Sequence, residues 1–213
     1  MKTDDLVLML ATGAGVAPKH VAARRYTIAL GWGMPISFAL MLATIGLLSD
    51  IRGALALSGF WIKLGFVVSL AAVSLLSTLR LSRPGADRKS LPVLLSLPVV
   101  ILWGLAVITL AQTEAELRIP LLMGQTWAEC PGLIAMLSLP IFVATLWAIR
   151  GLAPTNLRLA GGSAGLFAGA AGASIYTLHC PEMDAPFIAV WYLSGILIPA
   201  IVGLVSGSRL LRW

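Results

Sequence analysis

The sequence predicts an all-α integral membrane protein, a bundle of six transmembrane helices with its N-terminus and C-terminus in the cytoplasm. Three observations predict it. Of the 213 residues, 59% are hydrophobic and only 11% are charged, roughly half the charge of a soluble domain. The apolar residues fall in blocks of roughly 18–22, the length that spans a hydrocarbon core of about 30 Å. The basic residues lie between these blocks and favour alternate connections.

The blocks run over about residues 28–48, 57–79, 91–111, 131–149, 160–178 and 187–206. Each is expected to be a helix, because a helix satisfies its own backbone hydrogen bonds in lipid. A transmembrane barrel needs short alternating segments, and these blocks do not alternate. Arg24-Arg25-Tyr26 opens the first block, and Pro92 stands in the first turn of the third, where a missing N–H costs nothing. Pro35, Pro98, Pro140 and Pro199 lie inside spans, and each is expected to kink its helix. The stretch Leu6–Ala11 is too short for a secretory signal, and Asp4 and Asp5 precede it in place of a cationic segment. Two parts follow: a cytoplasmic segment with a short helix over 1–25, and the transmembrane domain over 26–213.

Orientation follows from lysine and arginine, which stay on the cytoplasmic side. One set of connections holds Lys2, Lys19, Arg24, Arg25, Arg80, Arg83, Arg88, Lys89, Arg150, Arg158, Arg209 and Arg212. The other holds Arg52 and Arg118, with Lys63 a turn or two inside the second span, from where it is expected to snorkel outward. The acids divide the other way: Asp50, Glu114, Glu116, Glu129, Glu182 and Asp184 face outside, Asp4, Asp5 and Asp87 inside. The net charge of +6 therefore describes topology. It does not describe a nucleic-acid surface, which would gather its cations in one stripe.

The fifth span carries Gly161, Gly165, Gly169 and Ala173 at four-residue spacing. Small residues at that spacing form a groove that admits another helix closely. Packing within the bundle is the plain reading, and a homodimer interface is the other.

The two cysteines fall on the outer side, each followed by proline at a helix boundary. They stand in Glu129-Cys130-Pro131 and in His179-Cys180-Pro181-Glu182. In a bacterial inner membrane that side is the periplasm, where thiols are oxidised. Four readings stand side by side: a permanent disulfide, a reversible sensor oxidised or metal-bound on stress, two thiols without a role, and a catalytic thiol site. The last lacks a Cys-x-x-Cys pair. Cys130, Cys180, His179, Glu129 and Glu182 form a candidate ligand set for a transient soft or borderline metal ion, and no resident cofactor is expected. His179 has a second reading as a charge at a helix C-terminus. Hydrolytic and transferase constellations are missing, and the spans carry no acid in their central turns. Ion pathways normally need such groups.

In the N-terminal segment Thr3 is a candidate N-cap, and Asp4 and Asp5 sit in the first turn, where the helix dipole favours acids. Leu6, Val7, Leu10 and Met9 give a short apolar stripe. It suits either the lipid surface or the groove of a cytoplasmic partner.

The opening Met1-Lys2-Thr3-Asp4-Asp5-Leu6, the two cysteine steps, Trp191-Tyr192 in the sixth span, and the ending Arg209-Leu210-Leu211-Arg212-Trp213 together resemble the NrsF family over almost the whole chain. The resemblance implies a bacterial inner-membrane anti-sigma factor, not an enzyme. Such a protein holds an extracytoplasmic-function sigma factor inactive and releases it under oxidative or heavy-metal stress. It implies that Cys130 and Cys180 are the paired periplasmic cysteines, and that Asp4 and Asp5, with Leu6 and Leu10 beside them, belong to the partner-binding segment. The alternative is a small-solute or ion transporter, which a polar, water-lined cavity would favour.

The charge asymmetry makes a direct prediction. Reporter fusions at Gly85 and Asn156 read cytoplasmic, and fusions at Thr113 and Asp184 read periplasmic. One clear inversion among the four overturns this topology.

Overall fold

The computed structural model describes residues 3–13, 21–82, 90–152 and 154–212. Lys2, Lys19, Arg83, Asp87, Arg88 and Lys89 lie outside them, as does the side chain of Leu10. The described residues form nine helices: α1 (Thr3–Gly13), α2 (Val21–Thr44), α3 (Ile51–Ala56), α4 (Ser58–Leu81), α5 (Leu91–Gln112), α6 (Ala115–Met123), α7 (Cys130–Arg150), α8 (Leu157–Tyr176) and α9 (Ala185–Leu210). Residues Ile188–Tyr192 of α9 form a π turn.

Local sequence explains the ends. The Asp50 carboxylate accepts from Gly53 N–H at 2.9 Å and caps α3. The Asn156 carbonyl accepts from Leu159 N–H at 3.0 Å and caps α8. Pro131 stands in the first turn of α7, where proline is pre-shaped for a helix. Beyond α2, Gly46 turns the chain at φ +73°, a conformation that suits glycine.

Five of these helices, α2, α4, α5, α7 and α9, are long and apolar enough to cross a membrane. The expected count was six, and the sixth candidate is α8. It has 20 residues, about 30 Å of helix, but its glycines, alanines and serines hold its hydropathy below that of the other five. The reason is its position. α8 lies in the centre, packed on α9, α7 and α4, and most of its residues are buried. A helix that faces other helices needs a small, smooth surface more than an apolar one. The first span also runs earlier than expected, from Val21 to Thr44, so Arg24 and Arg25 sit within the helix.

The glycine stripe of α8 packs on α9 in the same chain. A Cβ on Gly161 would meet the backbone of Gly203 and Gly207, one on Gly165 that of Pro199 and Ala200, and one on Gly169 that of Ile196. α9 carries a matching series, Gly195, Pro199, Gly203 and Gly207, at the same spacing. Gly195 in turn receives Ile134 and Pro131 of α7, and Gly172 receives Ser138. α7, α8 and α9 thus form a tight inner layer, with α2 against α7 and α5 against α4.

Away from the cysteines, the Tyr26 hydroxyl and Ser82 hydroxyl share a buried 2.8 Å hydrogen bond between α2 and the end of α4. The Arg25 guanidinium lies 5.0 Å over the Trp147 ring and packs against Gly151. Arginine commonly stacks in this way.

Two valine substitutions separate close packing from mere glycine content. Gly165→Val forces a side chain into α9 backbone and should cost about 2–3 kcal/mol or more. Gly104→Val meets open space and should cost nothing. Thermal unfolding in detergent that shifts equally for both variants would contradict the α8–α9 contact.

Candidate functional site: a buried thiol, tyrosine and lysine cluster

Cys130 is the first residue of α7, and its N–H donates to the Thr126 carbonyl at 3.0 Å. Cys180 follows the turn that ends α8, its N–H donating to Tyr176 O at 3.1 Å. Both thiols are free and have no exposed surface. They lie near each other, and the Tyr176 hydroxyl stands within reach of both sulfurs. The helices bring this about: α8 ends beside the start of α7, and the glycine packing fixes that relation.

Two further side chains complete the cluster. Tyr192, in the π turn, is fully buried, its ring 5.7 Å from that of Tyr176. Its hydroxyl faces Cys180 but has no partner of proper hydrogen-bond geometry among the described residues. Lys63 of α4 corrects an expectation. It does not snorkel; it has no exposed surface. Its Nζ donates to Cys180 O at 2.8 Å and to Glu182 O at 2.8 Å, and it lies 5.6 Å from the Tyr192 ring centre. A lysine stem reaches water only where nothing covers it, and here α9 and the 180–184 segment do. A buried ammonium is costly unless its donors are taken, and two carbonyls and a ring take them.

The lid over this cluster is α6 with the turn that follows it, neither expected from the sequence. Trp191 Nε1 donates to Leu122 O at 2.9 Å, and the Trp127 and Trp191 rings lie 5.3 Å apart. Gln125 N–H donates to Glu182 Oε1 at 2.7 Å. Gly124, at φ +56°, passes so close to the Phe187 ring and Glu182 that a Cβ would collide. Partial burial, then the charge of Glu182, raises the pKa of the neighbouring Asp184 carboxyl.

The expected ligand set does not assemble. His179 Nδ1–H donates to Gly46 O at 3.1 Å, its ring against Tyr176, which ties the end of α8 to the end of α2. Glu182 is engaged with Gln125, and Glu129 is exposed. Among the described residues no three of His, Cys, Asp and Glu converge on one point; the two sulfurs alone stay together. Nor do the larger grooves offer a polar path. One of about 490 Å³ lies between α4, α5, α8 and α9, another of about 650 Å³ between α2 and α7, and both are lined almost wholly by apolar side chains.

At the N-terminus α1 places Asp4, Asp5 and Leu6 on an exposed helix, with Val7, Leu8 and Met9 also exposed. The cluster residues missed in the sequence left faint signals: Lys63 is the one basic residue inside the apolar blocks read from the sequence, and Trp191-Tyr192 is a polar-tipped aromatic pair in an aliphatic block.

Residues 10–213 match the family described as "NrsF: Negative regulator of sigma F". A protein of Azospira oryzae named "Probable anti-sigma-F factor NrsF" is 53% identical over 213 residues, covering 100% of both chains. One of Caulobacter vibrioides named "Anti-sigma-F factor NrsF" is 35% identical over 217 residues, again covering 100% of each. No solved structure matches the chain.

The closed lid predicts slow thiol chemistry. Trp191→Ala removes one hydrogen bond and one ring contact, together about 1.5–2 kcal/mol. Maleimide labelling of Cys130 and Cys180 should then speed up by about tenfold or more. Labelling at the wild-type rate would show that the lid does not govern access.

Proposed function

The chain belongs to the NrsF family, the negative regulators of sigma F, and on that footing we propose an inner-membrane anti-sigma factor that reads the state of its two cysteines. The family's role is regulation by binding a sigma factor, not catalysis. The finer reading is that α1 holds a sigma factor of the extracytoplasmic-function type on the cytoplasmic side. Oxidation of Cys130 and Cys180, or capture of a soft metal ion by the two sulfurs, then releases it.

The observation that carries the reading is the thiol pair itself. Two free sulfurs, one from the start of α7 and one from the segment after α8, lie within reach of one tyrosine hydroxyl. A bridge or a shared soft ion there would join α7 to the end of α8. Two thiolates suffice for a soft ion, and the engagement of His179 and Glu182 elsewhere makes oxidation the simpler signal. A signal shifts the protein only as far as its two states differ in affinity for it.

The topology that fits is the one in which α8 crosses with the five apolar helices, sheltered from lipid by α4, α7 and α9. The thiol end then faces the periplasm, and α1 lies with the basic end in the cytoplasm. The exposed leucine, valine and methionine of α1, beside two exposed acids, suit a groove on a protein partner lined with apolar and basic groups.

Co-purification with sigma F tests this. Asp4→Ala combined with Asp5→Ala should weaken capture several-fold and flatten its salt dependence. Leu6→Ala and Leu10→Ala should each cost about 1 kcal/mol, roughly fivefold in Kd. A helix that merely lies on lipid gives the opposite result: the aspartate changes strengthen attachment to anionic head groups and leave sigma F capture as it was.

A further inference from the structure

The segment between α8 and α9, residues 180–184, has no helix of its own. Pro181 has no N–H, and the carbonyls of Cys180 and Glu182 are taken by Lys63 Nζ. Cys180 therefore sits on backbone that is held chiefly from outside, by α4. Cys130 sits on backbone packed closely on α9, where a Cβ on Gly195 would meet Pro131 Cα at 3.1 Å. When the two sulfurs close to a bond of about 2.05 Å, the Cys180 segment, which has no helix of its own, is the freer of the two to move. The Tyr176 hydroxyl, which reaches both sulfurs, loses its place between them.

The same helix that carries Lys63 leads to Ser82, whose hydroxyl bonds the Tyr26 hydroxyl. Tyr26 lies near the start of α2, the helix that follows α1 in the chain. One helix thus touches the thiol segment at one end and the root of the N-terminal segment at the other.

We propose that Lys63 is a positioning residue for the thiol pair and the point at which α4 senses it: bridging Cys130 to Cys180 pulls the Cys180 and Glu182 carbonyls from the ammonium and loosens α4. The inference rests on the thiol-sensing reading above. In the bridging step two S–H bonds are lost and one S–S bond forms. The two protons and two electrons go to a hydroperoxide, which becomes an alcohol and water. The bridged state leaves a buried ammonium short of acceptors, which is costly, and α4 must move or open to satisfy it.

The test uses the full chain in membranes with sigma F bound, before and after cumene hydroperoxide, and reads the ratio of sigma F held in the two conditions. Wild type should lose about fivefold or more on bridging. If wild type bridges and keeps its sigma F, thiol sensing fails and this inference fails with it. Lys63→Met keeps the stem and removes the ammonium, so its ratio should fall to within about twofold of one. A Lys63→Met protein that bridges and releases like wild type overturns the role of Lys63 while thiol sensing stands. Hydrogen exchange on wild type decides independently of that variant's folding. Amides of residues 58–66 should exchange faster in the bridged form, and unchanged protection there overturns the proposal.

Discussion

A methyl group added at Gly161, Gly165 or Gly169 would land on backbone atoms of α9, so α8 and α9 meet with no side chain between them. Between helices in lipid there is little hydrophobic drive, and close van der Waals contact replaces it. That contact sets the depth and rotation of α8. It thereby places Tyr176 and Cys180 opposite Cys130, and the π turn of α9 brings Tyr192 to the same point. Loosening the stripe would separate Cys130 from Tyr176 and Cys180, 46 and 50 positions away in the chain, without touching any of them.

The site so assembled is unusual for its depth. Lys63 is buried and closes the backbone of a segment that has no helix to close it. Ionisable groups at such positions commonly mark function. Here the ammonium, two phenols and two thiols form a small polar island under an aromatic lid. Such islands are costly when a partner is lost.

The lid also defines the chemistry. The thiols have no exposed surface, so a reagent reaches them only through local opening of the packing around them. The loop elements that form it are short and share few contacts with the inner layer, the kind of region that opens locally while a core stays intact. Meanwhile the two ends of α4 each hold a buried hydrogen-bonded contact, so a displacement at one end has a rigid path to the other.

Much of this was legible in the sequence. Block lengths placed the spans to within a few residues except at the first, where Arg24 and Arg25 proved to be helical. The resemblance over almost the whole chain named the family, and Cys130 and Cys180 stood out as a pair. The fifth block was read as apolar enough to cross, yet it is glycine and alanine that make α8 what it is. The fate of Lys63 was misread, because depth along a helix is legible from order in the chain but rotation about its axis is not. Hydropathy is a sum over neighbours in sequence, and it determined the helices and their order. Which groups share a pocket depends on which faces touch, and that was decided only by tertiary packing: backbone contact of α8 with α9, the π turn at Tyr192, and carbonyls that no residue nearer in the chain could satisfy.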